Sequence, residues 1–219
     1  MVEKKSVAIG VLDLQGGIQE HLAHLRRVGV CARPVKDARD FEGLAGLILP
    51  GGESTCQARL LKIFGLHDAL LREAERGLKL WGTCAGAILL AKENIGETSH
   101  LALMDVAVQR NAFGTQLESF QCEASVPKIA AGPIPLTFIR SPKIIRAGSG
   151  VEVLLRLGDY IAAAEDDRCL VTVFHPELTP HLAFHAYFAR KCGLKPEAEL
   201  EITDPTWTRN NWQQISRTA

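Results

Sequence analysis

The chain has 219 residues, with 25 Lys plus Arg against 25 Asp plus Glu, 47% hydrophobic residues and 23% charged ones. That balance excludes a disordered chain and gives no support to a nucleic-acid binder, which shows a basic surplus. The six cysteines, at 31, 56, 84, 122, 169 and 192, never stand as C-x-x-C, so neither a zinc knuckle nor a thioredoxin motif is available.

Residues 6–14 are apolar on both faces, the pattern of a central parallel strand. The run is short and carries Asp13, so it is not a secretory signal. Gln15, Gly16 and Gly17 break it, and Ile18, Leu22, Leu25 and Val28 then follow helical spacing up to Gly29. Strands are predicted over 30–35 and 44–49, the second ended by Pro50, Gly51 and Gly52. Helical spacing returns over 60–77. A strand over 78–82 runs straight into Thr83, Cys84, Ala85 and Gly86, followed by 87–91. Strands alternating with helices at this pitch imply a parallel sheet covered on both faces, with ligands at the carboxyl ends of its strands.

The second half changes character. Short apolar runs at 106–110, 120–126, 136–139, 144–147, 151–157, 160–165 and 170–174 predict an antiparallel or mixed sheet region. A helix over 180–191 closes the pattern. From 196 to 219 the composition turns polar, and a tail is expected there, partly docked through Trp207 and Trp212. The expected organisation is one domain over 1–195 and a polar tail over 196–219. Nothing approaches the ~20 apolar residues that span a bilayer, and a cytoplasmic protein with reduced thiols is expected.

Gly82-Thr83-Cys84-Ala85-Gly86 is the most informative segment. Gly-x-Cys-x-Gly repeats the logic of the Gly-x-Ser-x-Gly nucleophile elbow, where small neighbours let a sharp strand-to-helix turn present the reactive atom. The following helix aims its N-terminus at the sulfur and favours thiolate. The amide of Ala85 faces a developing oxyanion. The bland alternative is a structural Cys beside a glycine turn.

A nucleophilic Cys needs a base, and the base needs an orienting group. His175 follows the apolar run 170–174 directly, and Glu177 lies two residues on, across Pro176. The carboxylate fixes the tautomer of the imidazole and stabilises its charged form. The adjacent glycines Gly51 and Gly52 let the backbone approach a ligand and adopt positive φ, so an amide here suits a second oxyanion donor. Ser54 or Thr55 is equally suited to cap the next helix. His181 and His185 stand at i and i+4, but Leu182 occupies the place of a zinc protease's Glu, so no metal is assigned. His21, His24 and Trp81 read as structural, and Cys31, Cys122, Cys169 and Cys192 as core or half-buried residues.

Together these residues resemble the class I glutamine amidotransferases, whose triad is Cys, His and Glu. Residues 10–16, 50–55, 82–86, 110–114, 138–142 and 174–178 resemble the signature segments of one branch, the glutaminase subunits of pyridoxal 5′-phosphate synthase. The resemblance covers residues 6–191. It implies a three-layer, flavodoxin-like α/β fold with a mixed, mainly parallel sheet and helices on both faces. It implies that Cys84 attacks the side-chain amide of glutamine, that His175 protonates the departing ammonia, and that Glu177 orients His175. It places the oxyanion hole at the amides of Gly52 and Ala85. Glutamine is then held by Gly52, Glu53, Ser54, Arg110, Ile139 and Arg140. An arginine suits a carboxylate through charge-assisted bidentate bonds; its bland alternative is a structural ion pair.

The resemblance further implies no cofactor, and a partner: the (β/α)8 synthase subunit (Pdx1, PdxS or SNZ) that takes up the ammonia. It makes Gln15 a candidate for coupling to that partner. Asp13, Gly17, Cys56 and Gln57 depart from the family's usual residues without touching the triad. The competing readings are an amidotransferase serving another acceptor, such as the imidazole glycerol phosphate pathway, and a non-catalytic scaffold.

Overall fold

The structure is a computed structural model that describes residues 7–110 and 119–197. The first half contains β1 (Ala8–Leu12), α1 (Ile18–Arg27), β2 (Ala32–Val35), β3 (Leu44–Leu49), α2 (Ser54–Ile63), α3 (Leu66–Glu75), β4 (Lys79–Thr83) and α4 (Ala85–Leu90). The second contains β5 (Ala91–Asn94), β6 (Met104–Gln109), β7 (Phe120–Ser125), β8 (Pro133–Phe138), β9 (Lys143–Ala147), β10 (Glu152–Leu157), β11 (Tyr160–Glu165), β12 (Cys169–Thr172) and α5 (Ala183–Lys191).

The main sheet runs β2-β1-β3-β4-β12-β11-β9-β6-β5, with β10 on β11. From β2 to β12 every pairing is parallel. β11 then pairs antiparallel with β12, β9 and β10, and β9 with β6. The apolar runs of the first half therefore are central strands: all of β1 and all of β12 are buried. β7 and β8 form a separate antiparallel ribbon. This is the expected α/β architecture, with its mixed second half.

Chain direction explains the layers. β1 to β2 steps one way along the sheet, and β3 to β4 steps the other. Right-handed crossovers then send α1 to one face and α2 and α3 to the opposite one. The order reverses between β1 and β3, and such a switch point opens a crevice at the carboxyl ends of the strands.

Several expected boundaries shift for physical reasons. The helical run over 60–77 is two helices, because Gly65 adopts a left-handed φ of 65° that ends the first. The periodicity does not reveal the break, since Ala58 and Leu61 before it and Leu66, Ala69 and Leu70 after it are all buried. No apolar run announces β5, because two of its four residues are exposed and charged. The last helix starts at Ala183, not 180. Cys31 is exposed rather than core or half-buried, although its carbonyl accepts a hydrogen bond from Ile9 N at 2.9 Å. Trp81 is fully buried, as expected of a core residue. Residues 111–114 of the Arg-Asn-Ala-Phe-Gly segment, and Trp207 and Trp212 of the expected tail, lie outside the described residues.

Candidate active site

Four neighbouring strands deliver the predicted site residues to one end of the sheet. Gln15 follows β1, Gly51 and Gly52 follow β3, Cys84 follows β4 and His175 lies beyond β12. The parallel register aligns Leu49 with Gly82 and Thr83 with Thr172, so the loops emerge side by side.

Cys84 makes the turn between β4 and α4 with φ 48° and ψ −106°, a conformation that favours glycine. Two backbone clamps hold it there. Its N–H donates to the Thr172 carbonyl at 2.8 Å, and its carbonyl accepts from Ala87 N at 3.1 Å. The flanking glycines are required by space. A Cβ on Gly82 would lie 2.4 Å from backbone atoms of Gly86, and one on Gly86 would lie 2.0 Å from the Leu49 carbonyl oxygen. Ala85 opens α4 directly beyond the sulfur.

His175 sits on buried aromatic packing. Phe174 lies 5.5 Å from Phe138 and 5.2 Å from Phe184, ring to ring. The His175 N–H donates to the Thr137 carbonyl at 2.8 Å. Its Nδ1 is 2.7 Å from Oε1 of Glu177, which a single 3-10 turn at Pro176–Leu178 brings back beneath the ring. Glu177 is 1% exposed, so this carboxylate acts without water.

The charges fit the roles. Burial alone drives the His175 imidazole down, but the Glu177 carboxylate, the sulfur of Cys84 and hydrogen bonds to both carry it well above its ordinary value. Burial also opposes ionisation of Glu177; the charge that His21 and His175 carry at acid pH, with the His175 hydrogen bond, outweighs it and holds that carboxyl at about 2. At neutral pH the site therefore holds a carboxylate and a base that readily carries a proton beside the Cys84 sulfur.

The glycine loop closes on this pair. A Cβ on Gly51 would lie 2.4 Å from His175 Cε1 and 3.4 Å from Cys84 Cβ, so only glycine fits. Gly52 has φ 150°, which satisfies the expectation of positive φ here. The loop is tied from two sides. Gln15 Oε1 accepts from the Glu53 N–H at 3.0 Å. The fully buried Gln57 donates from Nε2 toward the carbonyls of Gln15, Pro50 and Gly51 at 3.1, 3.2 and 3.3 Å. In the sequence Gln57 stands out only as a departure from the family pattern, and no pattern signals its threefold hold.

The helix cap is a correction. Glu53, not Ser54 or Thr55, caps α2: its carboxylate accepts from the N–H groups of Thr55 and Cys56 at 3.2 and 2.7 Å. The Thr55 hydroxyl, those amides and Arg110 together keep the Glu53 carboxyl below its usual range. Arg110 donates to Glu53 and to Glu97, both at 2.9 Å, so its guanidinium already bridges two carboxylates. Ser54 is buried, Ile139 half-buried, and Arg140 exposed with φ 45° just beyond β8.

Fold and site together define the class: a glutamine amidotransferase. A solved glutamine amidotransferase matches with a TM-score of 0.80 at 44% identity, over 85% of this chain and all of that one. The PurLQS structure from Thermotoga maritima shares the fold at 16% identity and a TM-score of 0.64, over 84% of this chain and 97% of that one. Residues 11–194 match the model of the SNO glutamine amidotransferase family, and the chain belongs to that family. Among curated relatives, the pyridoxal 5′-phosphate synthase subunit PdxT of Syntrophus aciditrophicus is 57% identical over 95% of this chain and 94% of its own length. The PdxT subunit of Thermus thermophilus is 47% identical over 85% of this chain and 98% of its own.

Proposed function

We propose that this chain is the glutaminase subunit of a pyridoxal 5′-phosphate synthase, with Cys84, His175 and Glu177 as its triad. The observation that carries the mechanism is the buried line from Glu177 through His175 to the strained Cys84. The Cys84 thiolate attacks the side-chain carbonyl carbon of glutamine, and the amides of Gly52 and Ala85 receive the oxyanion. His175 gives its proton to the departing nitrogen, which leaves as ammonia, and a thioester remains on Cys84. Water then attacks the thioester, His175 takes the proton, and glutamate leaves as the C–S bond breaks.

Gly52, Ser54, Ile139 and Arg140 ring the glutamine. Glu53 and Arg110 contribute by shaping the loop, since their charges are paired with each other. The ammonia passes to a synthase subunit, and Gln15, exposed and bonded to the glycine loop, couples that subunit to the hole. The family match over 11–194 supports a catalytic domain of 1–195, with 196–219 outside it. Among the described residues no helix is long and apolar enough to cross a membrane, and we place the protein in the cytoplasm, where its free thiols stay reduced.

The glutamine analogue 6-diazo-5-oxo-L-norleucine should label Cys84 in the presence of the synthase subunit. Labelling of another cysteine, or none, refutes the assignment. Ammonia release measured with and without the synthase subunit tests the coupling, and a constant rate contradicts it.

A further inference from the structure

His21 and His185 are fully buried, and the thioester mechanism uses neither. They lie on the two helices that pack against each other on one face of the sheet. His21 Nδ1 is 2.9 Å from His185 Nε2. The other nitrogen of His21 is 3.4 Å from Thr83 Oγ1, in the residue before Cys84, and 3.4 Å from Oε2 of Glu177. That oxygen is buried and makes no hydrogen bond among the described residues, with the His21 nitrogen facing it at 3.4 Å. Glu177 Oε1 is already taken by His175. His21 therefore stands on the far side of the carboxylate from the base.

The protons can be placed by elimination. One nitrogen of the His21–His185 pair donates and the other accepts. If His21 donated from Nδ1, its Nε2 lone pair would face a carboxylate oxygen. His185 would then carry its proton on Nδ1, which is buried without a partner among the described residues. That arrangement leaves a buried donor orphaned and sets two acceptors against each other. If His185 donates from Nε2, the cost is a single unfilled acceptor, which buried sites tolerate better. His21 then carries its proton on Nε2, aimed at Glu177 and Thr83.

We propose that His21 is a positioning residue for the triad, donating its Nε2–H to Oε2 of Glu177, with its tautomer set by His185. The polar line then runs His185, His21, Glu177, His175, Cys84. Packing keeps the rings in place: Trp81 lies edge-on to His21 at 5.6 Å and to His185 at 4.9 Å, and the His24 ring lies 4.6 Å from His185. The groups facing His21 are Glu177 and His175 from beyond β12, Thr83 from β4, His185 from α5 and His24 from its own helix. Burial outweighs the pull of Glu177 and brings His21 down to about 4, so at neutral pH it acts as a hydrogen-bond donor and not as a cation.

This assignment rests on the triad reading, and the test separates the two. Nitrogen-15 imidazole spectra of the full-length wild-type protein should show His21 neutral at pH 7 with its proton on Nε2. A proton on Nδ1 overturns the assignment whether or not any variant folds. Glutaminase kinetics of His21→Leu, with the synthase subunit present and rates normalised to folded protein, should show kcat lower by about tenfold to a hundredfold, the weight of one hydrogen bond to a charged group, with KM within about twofold. An unchanged kcat overturns the proposal, as does a loss carried by KM. Failure of Cys84 labelling would remove the triad and leave the tautomer result standing.

Discussion

Cys84 offers a test in which strain reverses the usual order of two substitutions. Its φ of 48° and ψ of −106° suit glycine and penalise any residue with a Cβ, at a cost of about 1–3 kcal/mol. The clamps to the Thr172 carbonyl and from the Ala87 N–H are backbone bonds, so they survive replacement of the side chain. Cys84→Ala removes the sulfur and keeps the strain. Cys84→Gly removes the sulfur and releases it, but gives the unfolded chain extra freedom worth roughly 0.4–1 kcal/mol. The difference leaves the Gly variant more stable than the Ala variant by about 1 kcal/mol, or about 2–4 °C in Tm for a domain of this size. At an unstrained position Gly is the less stable of the two. Urea unfolding of both variants, each expected to be inactive, decides the matter. An Ala variant as stable as the Gly variant would refute a strained elbow.

Gly86→Ala should cost more than about 3 kcal/mol or abolish folding, because its Cβ meets the Leu49 carbonyl at 2.0 Å. Gly132→Ala, with nothing within 4 Å, should stay within about 0.5 kcal/mol; equal Tm shifts would contradict the packing argument. Gln57→Leu should lose about 1–3 kcal/mol and lower kcat, since the carbonyls of Gln15, Pro50 and Gly51 lose their shared donor; unchanged unfolding would discount the hold. Acid should destabilise the protein between pH 6.5 and 4. His21, lowered to about 4 by burial, and His185, well below its ordinary value for the same reason, stay neutral when folded but take protons when unfolded. For His21 the gap from 6.5 amounts to about 3 kcal/mol. His175 is shifted upward, so its contribution is fully present below pH 6.5 and does not offset this loss. Flat stability from pH 7 to 4.5 in urea titrations would be inconsistent with two neutral buried imidazoles.

The site is legible in the sequence where local geometry dictates residue type. Gly82 and Gly86 announce the elbow because no Cβ fits against the backbone they touch, and that constraint is written into the sequence. The proposed base is legible because the apolar run before His175 is a central strand, and Pro176 and Glu177 are close enough in sequence to fold back in one 3-10 turn. Partners distant in sequence are not legible. Nothing local ties Gln57 to Gln15, or His185 to His21, 164 residues away. The one available signal is that His21 falls beside Leu22 and Leu25 on the buried side of α1, where an imidazole must find polar partners. The cap is misread from sequence because Ser54 and Thr55 have the usual capping side chains. Glu53 takes the role because its carboxylate is also drawn to Arg110.

The ties within the site differ in kind, and the difference bears on where a docked subunit would act under the proposed function. The proposed nucleophile and base are held by backbone bonds: Cys84 N–H to Thr172 in β12 of the main sheet and His175 N–H to Thr137 in β8 of the separate ribbon, both at 2.8 Å. Shifting either breaks a backbone hydrogen bond to a strand. Among the described residues the glycine loop has no comparable ladder. Its described anchors are side chains: Gln57 from beneath, the exposed Gln15 from the rim, and Arg110 on Glu53. Gln15 reaches the loop from the solvent side, and its 3.0 Å bond goes to the amide next to Gly52. Under the proposed coupling role of Gln15, a partner that touches it shifts the Gly52 loop while leaving Cys84 and His175 undisturbed, so coupling should appear in the rate of acylation and not in the reactivity of the sulfur.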